Sequence, residues 1–431
     1  MLGTSGNQRS IRCRLSRSIH ESGGIVSRRT RRDWPRGMVA ANAAVGMLSA
    51  ANPTPEAVIE RASKRAGSSA HNDDHMVPLQ LLLEDISRSA LPPLPRRLAI
   101  RMVEDRLTNK FEIDTTLSEH PQILEQEIVA PIVILGLPRT GTTLLHRLLA
   151  RDPAHRGPLT WEMDKPCPPP DPALPNDPRI RRAAMQYRFL DYALPGHNTI
   201  HEIDPREPEE CVWLMANELT STWFASMGSL PAYFAWFYSL DLGNLYARHR
   251  RQLQLLQWNW RDQPRRWVLK APEHLYGLEA LLSTYPDALI IQTHRDPREV
   301  VPSLASLIAT ARRGMYRTVD TGEIGHESLA MLERWANAGM STRRRWNPKV
   351  IDIAYDSLVR DPLREVEDVY KEFGLPLSTE AHASMVSYLE DHPAKRFGEH
   401  RYTLGQFALT SDMVEGCFAD YVSEFDAYLH E

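Results

Sequence analysis

Six residues a third of the way along the chain, Gly136-Leu-Pro-Arg-Thr-Gly141, restrict its fold more than any other stretch. They follow Ile132-Val-Ile-Leu135, a continuous apolar run of the kind a strand buried on both faces carries. Beyond Gly141, Leu144, Leu145, Leu148 and Leu149 recur at helical spacing. The stretch reads as strand, glycine-rich loop and helix. Backbone N–H groups and the helix dipole favour an anion at such a helix N-terminus. Further apolar runs at 267–270, 288–293 and 350–354 predict strands, each followed by a helical pattern, at 275–282, 298–312 and 363–373. That alternation implies an α/β fold. The architecture expected is a P-loop-like, doubly wound parallel sheet flanked by helices, with ligands at the carboxyl ends of the strands.

The loop departs from the nucleoside-triphosphate pattern Gly-x4-Gly-Lys-Ser/Thr, whose Lys reaches the β- and γ-phosphates. Thr142 and Thr143 follow Gly141 directly, and the cation sits inside the loop at Arg139. A phosphate gripped near the helix end suits this arrangement better than a terminal γ-phosphate. A second anion site is legible in His294-Arg-Asp-Pro-Arg-Glu-Val-Val-Pro-Ser303. There Arg295 ends a predicted strand, and Ser303 falls about two turns into the next helix. A strand-end Arg and a helix hydroxyl can close on one phosphate, the guanidinium acting as a planar fork.

Around this centre the 431-residue chain divides into three expected parts. Residues 1–37 are rich in Arg, Ser and Gly and are expected to be disordered. The same composition suits an organelle transit peptide or a translation start at Met38. Residues 38–120 read as a helical N-terminal region with its charges on solvated faces, and residues 121–431 carry the α/β domain. Within that domain a stretch of seven prolines, 166–178, forms a surface loop. Residues 179–246 form a helical insertion that is unusually aromatic from Trp213 to Tyr246; most of these rings are expected in the core, some in an apolar acceptor pocket. Residues 1–40 hold nine Arg against Glu21 and Asp33, which leaves the rest of the chain near −11. So acidic a body argues against nucleic acid as the main partner. Four cysteines without metal or pairing spacing point to a reducing compartment, the cytoplasm, and to no metal. No segment has the length and apolarity of a transmembrane span.

Pro138-Arg-Thr-Gly-Thr-Thr-Leu144 resembles the 5′-phosphosulfate loop of sulfotransferases, which use 3′-phosphoadenosine 5′-phosphosulfate (PAPS). Arg295 and Ser303 resemble the same family's 3′-phosphate site, and Lys270 stands on the strand where the family carries a lysine. The Arg in the loop is similar to bacterial and tyrosylprotein-type members. The resemblance implies PAPS bound by Arg139, Thr140, Gly141, Thr142, Thr143, Arg295 and Ser303. It also implies Lys270 and Arg139 around the group transferred, and an acceptor hydroxyl on a small or lipid-like molecule. Sulfo transfer carries less charge than phosphoryl transfer, so fixed cations and amides can serve without Mg²⁺. Two candidates remain for the general base. Glu162, in Trp-Glu-Met, matches the placement of the glutamate in tyrosylprotein-type members, whereas His274 lies near the position of the cytosolic-type histidine, itself occupied by Pro272. Glu162 is preferred, with His197, His201 and Glu202 as acceptor-side groups behind it. The rival readings are a P-loop kinase and a non-catalytic nucleotide-binding protein.

Overall fold

The computed structural model describes residues 29–31, 34, 36–47, 52–68, 73–193, 202–260, 263–392 and 402–429. The helical N-terminal region comprises α1 (Arg36–Met47), α2 (Pro55–Ala66), α3 (Met76–Arg88) and α4 (Pro93–Glu119). Helix α2 starts at Pro55: the Thr54 hydroxyl accepts from the Ala57 amide, and Gly67 closes the far end at φ 66°. Pro93 and Pro95 fall in the first turn of α4, where a missing N–H costs little, so the proline cluster begins this long helix.

The α/β body follows the alternation in the sequence. Its strands are β1 (Ile132–Gly136), β2 (His155–Arg156), β3 (Arg266–Lys270), β4 (Leu289–His294) and β5 (Val350–Ala354). They lie in the order β2-β3-β1-β4-β5, all parallel. Strand β2, two residues long, is too short to leave a pattern. From β1 the chain runs to β2 at one edge and back to β3, then crosses β1 to reach β4 on its other side, so the loop after β1 stands at a topological switch point.

Period-two alternation assigns the two faces of the sheet. Ile132, Ile134, Val268, Ile291 and Ile353 pack on α5 (Thr142–Leu149) and on helices Pro362–Phe373 and Thr379–Asp391. Val133, Leu135, Leu269 and Ile290 face the opposite core. Helix α7 (Pro297–Met315) adds Val300, Leu304 and Ala305 to that core, and helix α8 (Thr321–Trp346) adds Leu332 and Trp335. Between α5 and α7 in the chain, α6 (Pro178–Ala193) follows the proline-rich stretch.

The N-terminal region is welded to the body through a separate core. Leu79, Leu82, Val103, Leu107 and Phe111 pack with Phe224, Tyr233 and Phe237 of the aromatic segment. Fully burying a side chain of this size contributes about 1.5–3 kcal/mol. The expectation of solvated charges on this region needs correcting. Glu104, Arg106 and Lys110 are buried, and Lys110 meets Glu218 at 2.9 Å and Asp74 at 3.2 Å. A single helix spacing cannot reveal an ion pair whose partner lies across a core.

Residues 1–28, most of the expected disordered tail, lie outside the described residues. Residues 29–31 of that segment pair antiparallel with Thr318–Asp320, and Trp34 is buried under Arg317 at 5.7 Å from the ring centroid. Among the described residues no helix is long and apolar enough to cross a membrane.

Candidate active site

The loop after β1 is built to expose backbone. Gly136 has φ 141°, and a Cβ there would stand 2.5 Å from the Thr293 carbonyl oxygen of the neighbouring strand. Gly141 has φ 85° and heads α5, with Leu358 and Tyr355 packed against it. Arg139 takes φ 68°, a left-handed conformation uncommon for a residue with a side chain. That turn sends its side chain towards the second predicted site. Arg139 Nε donates to Ser303 Oγ at 3.3 Å across 164 residues of sequence, and Arg295 Nη1 donates to the Arg139 carbonyl at 3.2 Å. The Arg295 guanidinium lies 4.1 Å above the Tyr355 ring and pairs with Glu299, while its Nε is buried with no partner among the described residues. The two predicted anion sites are therefore one cradle. An unsatisfied guanidinium N–H, two arginines and the first turn of α5 fit an anionic, phosphate-bearing ligand.

Thr142 and Thr143 line this cradle, but Thr140 does not offer its hydroxyl. Thr140 Oγ1 donates to the Leu137 carbonyl at 2.7 Å and lies 2.5 Å from Thr293 Oγ1, which ties the loop to β4. Its side chain braces the loop, which leaves only its amide for the role expected of it.

Lys270 ends β3 with a fully buried side chain. Its Nζ lies 2.7 Å from Glu210 Oε1, 3.6 Å from Glu209 Oε1 and 3.4 Å from Thr143 Oγ1, beside the head of α5. After Lys270 the chain turns through the single 3₁₀ turn Pro272–His274, which throws successive side chains in different directions. Glu273 points into the cavity in front of the cradle. Its Oε2 accepts from the Thr222 amide at 3.0 Å and the Thr222 hydroxyl at 2.5 Å, and its Oε1 is buried without a partner among the described residues. Burial pushes the Glu273 carboxyl up to about 7; the Thr222 hydrogen bonds oppose this and the Glu210 charge adds to it.

Neither base candidate from the sequence reaches this position. Glu162 is buried as a structural ion: Oε1 meets Arg156 Nη2 at 2.7 Å, Oε2 accepts from the Leu159 amide at 3.1 Å, and the side chain does not line the cavity. It closes the first turn of helix Thr160–Asp164. His274 turns into the core, where Nδ1 shares a hydrogen with the Tyr246 hydroxyl at 2.8 Å and Nε2 is sealed from solvent. Burial holds its imidazole neutral, well below the ordinary histidine range. Of the third-rank groups, Glu202 pairs with Arg147 at 2.9 Å, while His197 and His201 lie outside the described residues. Glu273 is one residue from a named candidate. Nothing in the spacing separates the two; the direction of a 3₁₀ turn does.

A cavity of about 700 Å³ runs from the cradle into the helical region. Its deeper wall is apolar, with Trp213, Trp223, Met227, Leu304, Ile308 and Trp335 among the lining residues. Charged side chains also line the cavity, among them Arg65, Arg101, Asp105, Arg106, Asp164 and Lys165. The Arg106 guanidinium is stacked 5.1 Å from the Trp213 ring and 5.2 Å from Trp223, and pairs with Asp164 at 2.8 Å. The aromatic segment thus divides: Tyr233, Phe237 and Tyr246 are core, while Trp213 and Trp223 face the cavity.

Comparison with known proteins adds a family to this geometry. Residues 131–379 match a family model described as the sulfotransferase family. Among curated proteins, the omega-hydroxy-beta-dihydromenaquinone-9 sulfotransferases Stf3 of Mycobacterium bovis and Mycobacterium tuberculosis are 25% identical over 299 residues, which is 65% of this chain and 72% of theirs. Among solved structures, sulfotransferase STF9 from Mycobacterium avium superposes with a TM-score of 0.80 at 27% identity, covering 88% of this chain and 99% of that one. Sulfotransferase STF1 from Mycobacterium tuberculosis H37Rv gives 0.75 at 31% identity, covering 86% and 99%.

Proposed function

The chain belongs to the sulfotransferase family, and on that footing we propose that it moves a sulfo group from PAPS to the hydroxyl of a lipid-like alcohol. The observation that carries this reading is the joined cradle of Arg139, Ser303 and Arg295, which opens beside Lys270 and Glu273 at the head of an apolar cavity. PAPS supplies an activated sulfo group and leaves as adenosine 3′,5′-bisphosphate. The residues of the cradle fit it: Arg295 and Ser303 take the 3′-phosphate, and Arg139 with the amides of 140–143 takes the 5′ side.

Each remaining residue has one task. Lys270, beside Thr143, holds the negative charge that grows on the bridging oxygen as the sulfur–oxygen bond breaks. Glu273 takes the proton from the acceptor hydroxyl as that oxygen bonds to sulfur. A base whose pKa lies near the working pH is the most effective, and burial brings this carboxyl there. Glu210 meets Lys270 at 2.7 Å, so two neighbouring carboxylates divide into a counter-ion and a base. The apolar wall excludes water, which would otherwise compete for the sulfo group.

The acceptor class follows from that wall and from the alcohol named for the Stf3 relatives, omega-hydroxy-beta-dihydromenaquinone-9. We take residues 121–431 as the transferase domain, residues 38–120 as a helical region that walls the acceptor cavity, and the cytoplasm as the compartment. Incubation with PAPS carrying a labelled sulfo group and a panel of alcohols graded in chain length tests the reading. Label is expected in a sulfate ester, with rates that rise with acceptor apolarity. Labelled phenols or sugars in place of long-chain alcohols would overturn the acceptor class, and no labelled ester from any hydroxyl would overturn the transfer.

A further inference from the structure

The outer face of α6 is unlike the rest of the surface. Ile180, Ala183 and Tyr187 turn inward and are buried, and Arg179 is tied down by Asp177 and by the carbonyls of Lys165 and Pro168. Met185, Phe189 and Tyr192 turn outward and are 65%, 58% and 58% exposed. Their spacing of four and three residues sets them in one stripe along the helix. Arg181, Arg182 and Arg188 flank that stripe, exposed, with no ion pair among the described residues. Three arginines on one helix beside three exposed large apolar groups stand out on a chain whose formal net charge is −4.

The same face is the rim of the cavity. Phe189 lines the cavity while remaining exposed, and so does Leu98 of α4. Helix α1 completes the rim: Gly37 lies against the Tyr192 hydroxyl, Met38 lines the cavity, and Val39 is exposed. Asn42 holds α1 to α4 by accepting from the Leu94 amide at 3.1 Å. Leu98 and Phe189 are thus exposed at the cavity itself, and Met185, Tyr192 and Val39 extend the exposed apolar surface along the same rim helices.

We propose that this rim docks on the surface of a lipid bilayer bearing anionic headgroups, so that the acceptor enters the cavity directly from the membrane. An apolar stripe flanked by arginines is the pattern of a helix lying in the bilayer interface, the rings among the acyl chains and the guanidinium groups at the phosphates. The apolar cavity opening on that stripe selects lipid over an acidic protein surface. A long-chain alcohol that crossed water would expose every methylene, whereas a mouth seated on the bilayer removes that step. The inference rests on the lipid-like acceptor proposed above, and the test separates the two.

Flotation of the full chain with vesicles supplies the measurement, using phosphatidylcholine alone and phosphatidylcholine mixed with phosphatidylglycerol in equal parts. Binding is expected to the mixed vesicles, with loss on raising the salt. The double variants Arg181→Glu/Arg188→Glu and Met185→Ser/Tyr192→Ser change residues that do not line the cavity. Loss of two phosphate contacts is expected to weaken vesicle binding about 30-fold or more. Both variants are expected to sulfate a short-chain alcohol in solution at the unaltered rate, and a vesicle-embedded long-chain alcohol more slowly. Wild-type protein that fails to float with the mixed vesicles, or Arg variants that float equally well, would overturn the docking and leave an acidic protein as the occupant of this face. Flotation without sulfation of either alcohol would instead overturn the acceptor reading.

Discussion

Glu273→Gln tests the chemistry most directly, because it keeps the shape of the side chain and removes only its capacity to take a proton. The glutamine oxygen can still accept from the Thr222 amide and hydroxyl, which now bind Oε2 at 3.0 and 2.5 Å. Among the described residues no hydrogen bond or ion pair joins Glu273 to Arg295 or Ser303, so the affinity for adenosine 3′,5′-bisphosphate is expected to stay within twofold or so of wild type. Loss of general base catalysis is expected to lower kcat by about 10²–10⁴-fold. Wild-type kcat/KM is expected to rise with pH through about 7, since only the ionised carboxylate can act as base. An ordinary glutamate would complete that rise near 4.3, roughly. Stability should move the other way. The folded-state pKa is raised from 4.5 to about 7, so the folded protein binds more protons than the unfolded chain in that window and loses stability as pH rises through it. At pH 8 the loss amounts to about 3 kcal/mol at most, and Glu273→Gln escapes it. The variant is therefore expected to be nearly inactive and to melt higher than wild type at pH 8, with the difference shrinking towards pH 4. Stopped assays over a pH series, with melting curves in the same buffers, measure both. Near wild-type turnover by Glu273→Gln would refute the assignment, and an acid limb near 4 in the wild type would refute the role given to burial.

Three further expectations use the same contacts. Thr222→Val removes a hydrogen bond that holds the Glu273 carboxyl down, so the acid limb of its kcat/KM profile should move to higher pH than in wild type. Titration calorimetry with adenosine 3′,5′-bisphosphate should find Arg295→Ala weaker by about 1.5–3 kcal/mol and Ser303→Ala by about 0.5–1.5 kcal/mol, because the first removes a charged donor and the second a neutral one. Unchanged affinity in Arg295→Ala would detach the 3′-phosphate from this cradle. Glu162→Ala strands the buried Arg156 guanidinium between the Trp260 and Trp267 rings, and denaturant unfolding should record a loss of about 3–5 kcal/mol. A stable but inactive Glu162→Ala protein would return the base to Glu162.

What the sequence determined by itself is whatever depends on neighbours along the chain. The apolar run 132–135, the two loop glycines and the leucines after them specify strand, turn and helix through local periodicity and backbone freedom, and the structure has all three in place. Arg295 and Ser303 were legible for the same reason, since a strand end and two helical turns set their separation. Tertiary structure alone decided the roles that depend on environment. Glu162, Glu273 and His274 are equally plausible as letters, but an arginine of β2 claims the first and a tyrosine beneath the 3₁₀ turn claims the third. Only Glu273 is left desolvated, half-satisfied and facing the cavity. The same holds for Lys110, whose charge looks solvated along its own helix and is buried against Glu218 across the core. Trp213 and Tyr233 share one aromatic run, yet one faces the cavity and the other the core, because breaks in the helices of that segment rotate them apart. Burial, partner and direction are properties of what folds against a residue, and the partners stand anywhere from six residues off, as Arg156 does from Glu162, to 108, as Glu218 does from Lys110.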